Sequence, residues 1–159
     1  MAEFFSKEWA DEVRDAIEAG PTEAMRETKL QEYWDFYAFV RGQYEASWAL
    51  GCRDLPRELG GSPSYLFVQW HDGHVTDCRI VGPDDPLEAT FVLAGDYADW
   101  AALLTGYDAQ RTVMYRKLLL EEGDLLQFFM AIYFFVESLA CLATVQADLS
   151  AEAGKPVPA

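Results

Sequence analysis

Apolar residues occupy nearly every position between 124 and 147, DLLQFFMAIYFFVESLACLATVQA, and the stretch is predicted to form one long helix. Asp124 supplies an N-cap oxygen, Gln127 stands at the reciprocal capping position, and Gly123 breaks the chain just before it. A helix without a polar face has to lie in a membrane, between packed elements or against a cavity. Residues 125–145 match the ~20 residues of a bilayer span. Gln127, Glu137 and Ser138 interrupt that span, however, acidic residues flank it on both sides, and no basic cluster orients it. A central carboxylate costs about 3 kcal/mol on insertion, so burial inside a folded domain is expected, with no stable membrane insertion.

The rest of the chain alternates between two periods. Phe5, Trp9, Val13 and Ile17 recur every four residues opposite Lys7, Glu8, Glu12, Arg14 and Asp15, which predicts an amphipathic helix begun by Ser6 and ended by Gly20 and Pro21. Thr22 caps a second predicted helix running to about Arg41, its apolar positions Met25, Trp34, Phe36, Tyr37 and Val40 read as core. From Tyr44 the period becomes two, predicting a strand that buries Tyr44, Ala46, Trp48 and Leu50. Residues 52–63 are a Gly- and Pro-rich loop.

Residues 65–70 and 75–81 read as strands joined by a hairpin turn centred on Asp72 and Gly73. An unbroken ladder outward from that turn groups Tyr65, Phe67, Cys78 and Ile80 on one face and Leu66, Val68, Asp77 and Arg79 on the other. The charged pair makes the Phe67 face the expected core face. Then follow a strand at 89–93, a helix capped by Asp96 that buries Tyr97, Trp100, Ala101 and Leu104, a short helix from Asp108 to Met114, and a strand at 118–120. Residues 150–159 are expected to be a disordered tail. The order predicts one α+β domain over 1–149, with helices at 6–41, sheet and closing helix at 43–147, and helices gathered on one side of a mostly antiparallel sheet.

Composition narrows the function. A chain of 159 residues with 51% hydrophobic side chains builds a sizeable core. Its formal charge of -15 repels phosphate backbones, which excludes nucleic acid and disfavours an anionic membrane surface. Cys52, Cys78 and Cys141 are far apart, without CxxC spacing, and the N-terminus lacks the basic then apolar run of a signal peptide. Free thiols and a cytoplasmic setting are expected. His71 and His74 face each other across the hairpin end, but only Asp72 stands by as a further ligand at a solvated turn, so no metal is expected. No GxSxG, HExxH or Gly-rich phosphate loop occurs, so neither catalysis nor a cofactor is expected.

The run ATFVLAGDYADWAALLTGYDAQRTVMYRKLLLEEGDLLQFF resembles the C-terminal half of the sterol carrier protein type 2 family. There a strand leads into a D-[YF]-x-x-[WF]-x-x-L helix, a short helix, a strand, Gly-Asp and a closing helix. Here these are Asp96, Tyr97 and Trp100, then Leu104 and Gly106, then residues 118–120, then Gly123 and Asp124. The resemblance covers roughly residues 43–147. It implies a five-stranded, mostly antiparallel sheet covered by helices around an apolar tunnel that carries sterols, fatty acyl chains or similar lipids without catalysis. The helix ending near Arg41 is longer and more aromatic than the family's usual linker, and could fill or reshape that tunnel, so the sequence leaves open whether the tunnel is open or filled.

Under this reading the lipid-contacting residues are Trp48, Phe67, Met114, Leu118, Leu120, Phe128, Ile132, Phe135 and Leu139. The last four fall at i, i+4, i+7 and i+11 and share one helical stripe. Glu121 departs from the family pattern. Either it stands on the cavity wall and needs a polar partner, or a one-residue shift turns it outward and Leu118 and Leu120 inward. The competing reading is an interaction protein without a cavity, its apolar and aromatic helices buried in a homodimer.

Overall fold

The computed structural model describes residues 1–149; the expected tail at 150–159 lies outside the described residues. Helix α1 (Lys7–Ala19) starts where Ser6 Oγ accepts the Trp9 N–H at 3.1 Å and buries Trp9, Val13 and Ile17. The second predicted helix divides in two, α2 (Glu23–Arg26) and α3 (Gln31–Gly42). Side chains take the carbonyls that would have continued it: Thr28 Oγ1 donates to Met25 at 2.6 Å, and Trp34 Nε1 donates to Arg26 at 2.8 Å.

Five strands follow: β1 (Ala46–Cys52), β2 (Ser64–His71), β3 (His74–Val81), β4 (Phe91–Gly95) and β5 (Leu119–Glu122). They lie in the order β3-β2-β1-β4-β5, with β1 and β4 parallel and the other pairs antiparallel. The hairpin turn sets His71 opposite His74 as expected. A bulge at Thr76 then shifts the ladder, so that Val68 opposes Cys78 and Phe67 opposes Arg79. The expected core face is thereby corrected. Trp48, Leu50, Leu66, Val68, Trp70 and Cys78 form it, while Phe67 lies on the opposite face, under the Arg79 guanidinium at 4.3 Å from its ring centre.

Between β4 and β5 run α4 (Tyr97–Leu104) and α5 (Ala109–Met114). In α4 the buried positions are Tyr97, Trp100 and Leu103. Trp100 closes an aromatic nest with Phe4, Phe5 and Trp9 and donates from Nε1 to the Gly51 carbonyl at 2.8 Å.

The predicted long closing helix is also two, α6 (Leu125–Met130) and α7 (Ile132–Ala143), separated at Ala131, whose φ of -119° leaves the helical region. The break serves packing. Phe128 stays against Phe91 at 5.4 Å between ring centres, while α7 turns so that Phe134 meets Trp70 at 4.9 Å and Phe135 meets Trp48 at 4.9 Å. Among the described residues no helix is long and apolar enough to cross a membrane.

Candidate functional site

An apolar cleft of about 270 Å³ opens between β4, β5, α5 and α6. Three short elements build it. α5 begins where Asp108 accepts the Arg111 N–H at 2.9 Å, and it offers Val113. β5 contributes Leu119 and Leu120, with Leu118 just before it. α6, capped by Asp124 through the Gln127 N–H at 2.9 Å, contributes Leu125, Phe128 and Phe129. Leu93 of β4 forms the floor, and Arg116 supplies the lining's single charged side chain. Gly123 allows the tight passage from β5 into α6: at its φ of +121°, a Cβ would meet the Thr90 carbonyl oxygen at 2.7 Å.

Of the residues expected to touch lipid, the cleft brings together Leu118, Leu120 and Phe128. Trp48, Ile132, Phe135 and Leu139 are buried core outside its lining, with Phe135 directly behind Phe128 at 5.0 Å. Met114 ends α5 partly exposed, and Phe67 lies across the sheet. Glu121 points outward to Arg53, with 3.1 Å between the charged groups, while Leu118 is buried. Sequence reasoning missed Leu93, Val113, Arg116, Leu119, Leu125 and Phe129. Leu119 and Phe129 are amphipathic outsiders by periodicity, and only the folding of β5 against α6 makes their outward side a wall.

The rim is unusually apolar: Leu126 and Met130 of α6 are 73% and 72% exposed. The stretch thus reads apolar all round because one side packs on the sheet, another lines the cleft and a third faces outward.

Apart from Arg116, polar side chains lie outside the cleft lining. Glu137, on α7, is buried, and its Oε1 accepts from Lys29 Nζ at 3.0 Å and from the Tyr33 hydroxyl at 2.7 Å, tying the α2–α3 connection onto α7. Burial, reinforced by the Glu137 hydrogen bond and charge, pushes the Tyr33 hydroxyl above the ordinary tyrosine range. The two imidazoles turn to separate carboxylates, His71 to Glu45 at 2.8 Å and His74 to Glu18 at 2.7 Å.

All three cysteines are free and buried, and burial first of all pushes each thiol up from 9.0 to about 12. A raised folded pKa means that the folded state holds its proton more tightly. The stability from this source is therefore complete below pH 9 and is lost as pH rises toward 12. Urea midpoints should fall across that interval, and native thiols should react with a disulfide reagent at pH 8 far more slowly than those of the unfolded chain. Equal reaction rates would show the thiols to be accessible.

The fold is that of sterol carrier protein 2. A crystal structure of sterol carrier protein 2 superposes with a TM-score of 0.69 at 21% identity, covering 90% of this chain and 99% of that one. The solution structure of a conserved hypothetical protein from Thermus thermophilus, described by way of suggestion as a sterol carrier protein, superposes at 0.67 with 19% identity and 93% coverage of both chains. By sequence alone the chain matches no family model and no curated protein.

Proposed function

We propose that this protein binds and carries a hydrophobic ligand, a fatty acyl chain or similar lipid, in the cleft between β5 and α6, without chemical conversion. The observation that carries the reading is the lining itself: eight apolar side chains and one arginine converge on a concave space, on a sheet of the sterol carrier protein 2 fold. Burial of hydrocarbon at ~25 cal/mol per Å² supplies affinity without directional contacts, and hydrolysis or transfer would need a nucleophile or proton carrier that the lining side chains do not offer. Leu118, Leu120 and Phe128 are the contacts proposed first, with Ile132, Phe135 and Leu139 forming the wall behind them and Trp48 the sheet beneath. Buried free thiols favour a reducing, cytoplasmic setting.

A fluorescent long-chain acyl probe should bind saturably with a Kd of about 1 μM or below, some 8 kcal/mol, and be displaced by unlabelled lipid. Phe128→Ala should extend the accepted chain length, because it opens the cleft toward Phe135. The second reading, association of two copies through the exposed Leu126 and Met130 of α6, predicts instead a ligand-free dimer by native mass spectrometry.

A further inference from the structure

From the placement of Arg116 we infer that the cleft selects amphiphiles with an anionic head, a carboxylate or phosphate, over neutral lipids of the same chain length. The inference rests on the carrier reading and names the ligand class for that site. Arg116 is the sole charged residue in a lining otherwise made of hydrocarbon, and no carboxylate shares the cleft with it. In a chain of formal charge -15, several cations are engaged by carboxylates. Arg53 bridges Asp96 and Glu121, Arg41 holds Glu18, Arg79 pairs with Asp77, and Lys117 reaches Asp99. Arg116 is exposed, and its guanidinium forms no hydrogen bond or ion pair with any described residue, although acidic side chains outnumber basic ones by 27 to 12.

Its backbone is set for the purpose as well. Arg116 follows α5 in the left-handed region, φ +59°, where a helix exit ordinarily takes glycine. It is held there by its N–H to Val113 at 3.1 Å and by the Lys117 N–H to Thr112 at 3.0 Å. A non-glycine residue kept in that region is the kind of local cost that persists where a side chain has to be aimed. The flat guanidinium fork of this exposed lining residue matches a carboxylate or phosphate head in geometry and charge, while the acyl chain lies against Leu120, Phe128 and Leu93.

Displacement of a neutral fluorescent lipid probe by palmitate, hexadecyl phosphate and hexadecanol tests this. At neutral pH and low salt, one or both anions should compete about tenfold better than the alcohol in the native protein. That ratio should fall to about one in Arg116→Gln and largely return in Arg116→Lys. Arg111→Gln, an exposed change on α5 outside the lining, should keep the native ratio. Equal competition by acid, phosphate and alcohol in the native protein, or a preference that survives in Arg116→Gln, overturns the selection and leaves carriage standing. Failure of every competitor and of the probe to bind overturns carriage, and the selection with it.

Discussion

Trp100→Ala should remove most of the protein's stability. Trp100 is only 2% exposed and packs edge-on against Phe5 and Trp9, so truncation leaves a large void among rings that cannot close on it. Changes of this type cost about 3–5 kcal/mol. The Gly51 carbonyl also loses the indole N–H at 2.8 Å, adding about 1–3 kcal/mol for an unpaired buried acceptor. Against a typical total of about 5–15 kcal/mol, the variant should have a urea midpoint near zero or fail to fold at 37 °C. Trp100→Phe separates the two terms: it keeps ring packing and loses the hydrogen bond, so it should recover more than half of the loss. A melting temperature within a few degrees of the native value for Trp100→Ala would mean that the nest is not closed as described.

The second large effect concerns charge. Lys29→Met should destabilise by about 2 kcal/mol, less than the 3–5 kcal/mol of a fully buried pair because Lys29 retains some access to water. It leaves the Glu137 carboxylate buried with only the Tyr33 hydroxyl. In a Glu137→Gln background the same replacement should cost little, since no charge then remains to be compensated. The coupling between the two substitutions, measured by equilibrium denaturation of the four proteins, is the quantity to read. A coupling below a few tenths of a kcal/mol would show that the ion pair does not tie the α2–α3 connection to α7.

Much of this architecture was written in spacing and caps. Ser6, Thr22, Asp108 and Asp124 each cap a helix at the expected start, although those begun by Thr22 and Asp124 end after one turn or so instead of running on, and the Asp72–Gly73 turn fixes His71 against His74. What could not be read was set by contacts distant in sequence. The bulge at Thr76 adds one residue to β3 without a glycine to mark it, and it moves Asp77 and Arg79 onto the face of Gln69 and Phe67, so that the charged pair no longer argues against Leu66 and Val68 as core. The break at Ala131 occurs at a good helix former, because Phe128 and the pair Phe134 and Phe135 seek different parts of the sheet. The site shows the same division. Leu118, Leu120 and Phe128 announce themselves as buried apolar positions, whereas Leu119 and Phe129 line the cleft from what periodicity makes the outer side. Arg116 has no sequence signal beyond its place after a short helix.

The most direct measurement is the set of intermolecular nuclear Overhauser effects between a saturating, isotope-edited long-chain fatty acid and the protein's methyl and aromatic protons. Carriage in the β5–α6 cleft predicts contacts from the acyl methylenes to Leu118, Leu119, Leu120, Leu125, Phe128 and Phe129, in a one-to-one monomeric complex. Contacts confined to the outer rim at Leu126 and Met130, or to Phe67 on the far face of the sheet, would contradict it.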